Sequence, residues 1–153
     1  MTLLALLAAP LLLAQPAALP APSRGTIAVT LTGVQGSEGA LRAKLVASGE
    51  DFPGSDAHVV AKQRIAAQGP DARFVFEGVP YGEYAVVCLH DADDDAELDR
   101  GPLGLPSEGL GFSSGARIRF GPPDFEEARF RLAAPELELE VELRYLLPRR
   151  EAR

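Results

Sequence analysis

The clearest pattern in the chain is a strict alternation near its end. Leu137, Leu139, Val141, Leu143 and Tyr145 alternate with Glu136, Glu138, Glu140, Glu142 and Arg144. Successive side chains of a strand point to opposite faces, so this segment sorts its apolar groups to one side and its charges to the other. A helix would spread the glutamates around its circumference. The same period of two runs through Ile27, Val29 and Leu31, through Leu41, Ala43 and Leu45, through Phe74 and Phe76, and through Ala128, Phe130 and Leu132. Tyr84 to Leu89 is apolar throughout, which predicts a strand covered on both faces.

Turn chemistry separates these runs. Gly33 to Gly36, Pro53-Gly54, Gly69-Pro70, Pro80-Tyr81-Gly82 and Gly121 to Pro123 interrupt the apolar segments at short intervals. Asp56 to Ala67 reads either as a short helix or as an irregular edge strand, and no other stretch beyond the N-terminus keeps a 3.6-residue apolar face. The pattern predicts an all-β fold, a two-sheet antiparallel β-sandwich of about six to eight strands. Its expected core includes Ile27, Val29, Leu31, Phe74 and Phe76, together with Val86, Cys88, Phe130, Leu139 and Val141. The sandwich is expected to occupy residues 23–147, with a basic C-terminal tail at 148–153 opened by Pro148. No internal repeat and no second domain is visible.

The N-terminus departs from this pattern. Leu3 to Leu13 is almost wholly Leu and Ala, and no charged residue precedes Arg24. About a dozen apolar residues are too few to cross a bilayer, which takes about 20, but they match the apolar region of a secretory signal. Residues 1–22 are therefore expected to be a signal peptide with a Pro-rich spacer, cleaved between Gln15 and Ser23. The protein would then be periplasmic or secreted, with no transmembrane span left after leader removal. The competing reading is an N-terminal helix docked on the domain. About 130 residues remain beyond the leader, enough for a core without covalent staples. Cys88 is the one cysteine, so no intrachain disulfide is possible. Set between Val87 and Leu89, it reads as a small core hydrophobe rather than a nucleophile.

The net charge is −7, which argues against a nucleic acid partner. From Asp91 to Glu108 there are seven acids and one arginine, a local −6, which leaves the remainder near −1. One acidic spot on a near-neutral body points to a cation. Asp91, Asp93, Asp95 and Asp99 are spaced i, i+2, i+4 and i+8, a spacing that turns several oxygens toward one centre in a tight loop. A hard cation such as Ca²⁺ takes six to eight oxygens, and EF-hand loops supply them from alternate positions. Zinc fits poorly, because His58, His90 and Cys88 are the only nitrogen or sulfur ligands. The sixth position, which favours Gly, is Ala96, and the twelfth, normally Glu, is Pro102, so Glu108 becomes the candidate for the distant ligand. With Glu97 added, the candidate metal ligands are Asp91, Asp93, Asp95, Glu97, Asp99 and Glu108. The alternative is a solvated acidic strand end.

The turn Phe76-Glu-Gly-Val-Pro80-Tyr-Gly82-Glu-Tyr84 resembles the one before a strand in transthyretin-like and carboxypeptidase-regulatory-like sandwiches. Continued through Ala85 to Asp91, the acidic loop, Leu103 to Ser113 and Gly121 to Phe130, the string is similar to the bacterial secreted family called domain of unknown function 2141. The resemblance runs from about Gly25 to Tyr145, and it implies an extracytoplasmic transthyretin-like or immunoglobulin-like sandwich without bringing an activity. In that family the loop is usually written with Asn and Gly, where this chain has Asp93, Asp95 and Ala96. Three functions compete. The first is a non-enzymatic exported domain with a Ca²⁺-stabilised loop and a ligand or protein partner that the motifs do not name. The second is a carbohydrate- or peptide-binding module rimmed by Leu103 to Ser114, which the absence of Trp disfavours. The third is a hydrolase built from Ser107 or Ser113 with His90 and Asp91. Adjacent His90 and Asp91 would point to opposite sides of a strand, and no G-x-S-x-G turn occurs, so no catalytic residue is expected.

Overall fold

The computed structural model describes residues 23–147, so the expected leader at 1–22 and the tail at 148–153 lie outside the described residues. The described residues form eight strands: β1 (Arg24–Thr32), β2 (Ala40–Val46), β3 (Val59–Ala66), β4 (Ala72–Pro80), β5 (Gly82–Asp91), β6 (Gly109–Phe112), β7 (Phe130–Leu132) and β8 (Glu136–Glu142). A single helical turn, α1 (Phe125–Ala128), precedes β7. One sheet has the order β4-β1-β8 and the other β3-β2-β5-β6, with β7 paired to the start of β5. The two sheets pack as a β-sandwich.

Alternation does the sorting. Ile27, Val29 and Leu31 of β1 meet Leu41, Ala43 and Leu45 of β2 and Val86 and Cys88 of β5 in one core. On β8 the glutamates are exposed and Val141 is buried. The other face of β5 is covered as well: Ala85 and Val87 pack with Phe112, Phe125 and Ala128 in a second, smaller cluster. Cys88 has no accessible surface, and burial pushes its thiol up to about 12, which suits a structural hydrophobe. The sheets are stitched at one edge, where Leu110 and Arg144 exchange both backbone hydrogen bonds at 3.0 and 2.9 Å.

Four expectations are corrected or resolved by the structure. β8 runs parallel to β1, so the first sheet is mixed. The chain crosses between sheets at Ala133 to Pro135 and therefore enters β8 at the same end as β1, where Pro135 accepts a hydrogen bond from the Thr26 amide at 2.8 Å. Phe130 and Leu139 are only half-buried, unlike the other predicted core residues: β7 is three residues long, and β6 closes over β8 at Val141, which lies against Gly111, one pleat beyond Leu139. Ala128 belongs to α1 rather than to a strand. The Asp124 carboxylate accepts from the Glu127 amide at 2.9 Å and the Glu127 carboxylate accepts from the Asp124 amide at 3.3 Å, a reciprocal cap that starts the turn. The ambiguous segment Asp56 to Ala67 supplies the edge strand β3. Among the described residues no helix is long and apolar enough to cross a membrane.

Candidate metal centre

At the end of β5 the alternation sends neighbouring residues to opposite sides. His90 faces inward, its Nε2–H donating to the Glu38 carbonyl at 2.9 Å, while its Nδ1 lies 2.6 Å from the Tyr145 hydroxyl. That hydroxyl also accepts from the Gln35 amide at 3.0 Å. Asp91 faces the other way and has no accessible surface. Its Oδ2 accepts from Arg42 Nε at 2.6 Å and from the Ala96 amide at 3.0 Å, and its Oδ1 accepts from the Asp95 amide at 3.2 Å. Burial raises the Asp91 carboxyl, but Arg42 and the Ala96 amide outweigh it and hold the group below the ordinary carboxylate range. Gly39, at φ +71, lies against the Asp91 and Ala92 carbonyls so closely that a Cβ there would overlap both.

Two further contacts shape the loop. Asp94 reaches back over the sheet to accept from Arg42 Nη2 at 2.7 Å and Arg64 Nε at 2.8 Å, and Arg64 holds its carboxyl below the usual range. Beyond Asp99 the chain doubles back: Gly101 donates to the Leu105 carbonyl at 2.8 Å, Ser107 donates to the Asp99 carbonyl at 3.0 Å, and Arg100 pairs with Pro106. This arm returns Glu108 to the loop. Its buried carboxylate accepts from the Ala92 amide at 2.9 Å and the Asp99 amide at 3.2 Å.

Carboxylate oxygens of Asp91, Asp93 and Asp95 lie within 4.8 Å of one another, and those of Asp93, Asp99 and Glu108 do the same. Five of the six candidate ligands are thus brought together, with Asp93 common to both sets. Glu97 is exposed and belongs to neither, and its amide donates to Asp95 Oδ1 at 2.8 Å. Burial, opposed by two amide bonds and reinforced by Asp91 and Asp99, holds the Glu108 carboxyl above the ordinary range. Lost hydration and the charges of Asp95 and Asp99 do the same to Asp93. Ala96 takes φ +70 at the loop position where Gly is favoured. An L-residue there costs about 1–2 kcal/mol, partly offset by the extra chain entropy of Gly. Ala96→Gly is therefore expected to raise the unfolding free energy by about 0.5–1 kcal/mol in urea melts. A lower midpoint would show that Ala96 is not held in this conformation.

His90 and Ser113, two of the residues a hydrolytic triad would need, are each engaged elsewhere. Both His90 ring nitrogens are engaged as described, and the Ser113 hydroxyl donates to the Ala128 carbonyl at 2.6 Å while accepting from the Val86 amide at 2.8 Å. Phe112 is a buried plug, edge-on to Phe52 at 6.3 Å between ring centroids. The residues that spacing did not disclose are Asp94 and its partners Arg42 and Arg64. Those contacts depend on strand register.

The family described as "uncharacterized protein conserved in bacteria (DUF2141)" matches residues 29–140. The chain belongs to this family. The DUF2141 match begins inside β1 and ends inside β8, so it contains both sheets and the whole acidic loop. No curated protein and no solved structure gives a significant match to the chain.

Proposed function

We propose that this DUF2141 protein is a non-enzymatic, extracytoplasmic β-sandwich module whose loop from Asp91 to Glu108 is braced by Ca²⁺. The observation that carries the reading is the convergence of Asp91, Asp93 and Asp95, and of Asp93, Asp99 and Glu108, each set within 4.8 Å. Oxygens bound to one Ca²⁺ at 2.3–2.6 Å can be at most about 5 Å apart, so this spacing suits a shared ion. The raised carboxyls of Asp93 and Glu108 support it: lost hydration is the main cause, neighbouring acids add to it, and a divalent cation would offset both. The Leu- and Ala-rich N-terminus supports export. Outside the cell, affinities of about 10⁻⁴–10⁻³ M suffice for such a module.

Thermal melts test the reading at constant ionic strength. At a hundredfold excess over Kd, Ca²⁺ adds about 2.7 kcal/mol, which raises Tm by roughly several degrees, and chelator reverses the rise. Asp93→Asn should abolish the shift without disturbing the apo fold, since Asp93 is exposed and common to both carboxylate sets. Glu138→Gln, on the solvent face of β8, should leave the shift intact. If Mg²⁺ or NaCl produces the same rise, the loop is only being screened. If no ion moves the midpoint, the arginines and backbone amides alone hold the loop. Mass measurement of protein recovered from a periplasmic or medium fraction checks export: retention of Met1 on cytoplasmic protein would refute it.

A further inference from the structure

The outer face of the β3-β2-β5-β6 sheet carries a cleft of about 800 Å³ that the cation site does not use. Strand register builds it. Arg64, Arg42, Leu89 and Leu110 lie in one row across the four strands. Lys62, Lys44, Val87 and Phe112 form another such row. One half of the cleft floor is therefore cationic and the other half apolar.

Like charges directly opposite one another destabilise a sheet, so two such pairs side by side carry a cost. Each pair shares one carboxylate: Asp94 between the arginines and Asp56 between the lysines. Arg42 also binds Asp91. Arg100 and Arg119 line the cleft from the flanking loops. Around the whole cleft six cations face three carboxylates, and at the two strand pairs themselves four cations face those same three, which leaves the cationic half of the floor at about +1 in a chain of net −7. The apolar half continues up the walls through Leu98 and Ile118. At the mouth, Leu103 is 97% exposed and Phe120 fully exposed, one on each flanking loop.

We propose that this cleft takes a single-chain anionic amphiphile. Its acid head would lie between the Arg42/Arg64 and Lys44/Lys62 pairs, and its apolar chain would run over Val87, Leu89 and Leu110 toward Leu103 and Phe120. Charge complementarity selects the head, since an added anion relieves the excess of cations over carboxylates. The placement of Arg42, Lys44, Lys62 and Arg64 on two adjacent strands, about 5 Å apart, suits one headgroup rather than a string of phosphates or acidic side chains. The volume lies within the range of about 300–1,000 Å³ usual for small-molecule sites.

Calorimetric titration in chelator tests this independently of Ca²⁺, using myristate and dodecyl phosphate below their micelle thresholds. Both should bind one to one, while dodecyl maltoside, with a neutral head on a similar chain, should bind at least about tenfold more weakly. Lys44→Gln/Lys62→Gln should weaken the acids about tenfold, and added salt should do the same in part. Leu103→Ser/Phe120→Ser alters only exposed side chains and should also weaken binding, whereas Arg73→Gln on the other sheet should not. Equal affinity for the neutral amphiphile would overturn the proposal. So would unchanged affinity in both double variants, or binding to acidic vesicles with none to the monomeric acids.

Discussion

Replacing Phe76 with Ala is expected to destabilise the domain by about 3–5 kcal/mol, the range for a large aromatic deleted from a packed core. Phe76 is 2% exposed on β4, directly opposite Ile27 of β1, and it packs into the core between the sheets. The loss combines the transfer of the ring with the cavity it leaves, which the backbone-bonded sheet can only partly close. Since domains are stable by about 5–15 kcal/mol, this substitution should lower Tm by roughly 10 °C or more. Val75, the preceding residue on the same strand, points outward and is 37% exposed, so Val75→Ala should stay within about 0.5–1 kcal/mol. Urea unfolding of the two variants is the check. Equal losses would mean that β4 does not present alternate residues to core and solvent.

The contrast between Phe76 and Val75 shows why so much of the fold was legible. Burial in a two-sheet sandwich alternates residue by residue, so Ile27, Val29, Leu31, Phe74, Phe76 and Val141 disclose their faces by position alone. Tyr84 to Leu89 reads as a strand covered on both sides, and the second cluster around Phe112 covers its outer face at Ala85 and Val87, while Leu89 is half-buried on the cleft floor. Legibility failed where burial depends on neighbours rather than on the strand's own pattern. Leu139 has the right spacing but lies one pleat short of Val141, where β6 closes over β8, and Phe130 belongs to a strand too short to be covered. The parallel pairing of β8 with β1 depends on where the chain crosses between sheets, which local periodicity does not encode. α1 is too short to show a 3.6-residue face, although Asp124-x-x-Glu127 is a visible capping signal.

The loop divides in the same way. Asp91, Asp93, Asp95 and Asp99 were readable from their spacing, because a tight turn brings alternate residues to one side. Glu108 reaches them only through the arm from Asp99 to Ser107, whose internal pairing resets the distance along the chain. In the sequence Asp94 adds only charge, yet it binds Arg42 and Arg64, which lie 52 and 30 residues away. Those arginines, with Lys44 and Lys62, look in sequence like the solvated positions of two ordinary strands. Only the antiparallel register sets them opposite one another.

Asp91→Ala is expected to cost about 2–4 kcal/mol, the effect of deleting a buried acceptor that serves one charged and two neutral donors. The carboxylate is inaccessible and serves three donors: the Arg42 guanidinium and the amides of Asp95 and Ala96. Ala replaces none of these bonds. Arg42 keeps only Asp94, and two loop amides lose their acceptor, a loss that water at the exposed loop partly makes good. Asp91→Asn should be milder, since its amide oxygen still accepts one hydrogen bond, although the charge-assisted bond to Arg42 is lost. Asp93→Ala, at an exposed position, should change apo stability by no more than about 0.5 kcal/mol. Urea unfolding in chelator gives the order Asp91→Ala, Asp91→Asn, Asp93→Ala from most to least damaging. Because this ranking is measured without Ca²⁺, it separates the structural duty of Asp91 from any duty as a metal ligand. If Asp91→Ala were no worse than Asp93→Ala, the loop would not be organised around Asp91. If Asp93→Ala alone proved harmless in chelator and yet removed the Ca²⁺-dependent rise in Tm, the two carboxylates would divide the work: Asp91 shapes the loop, and Asp93 completes the cation's oxygen shell.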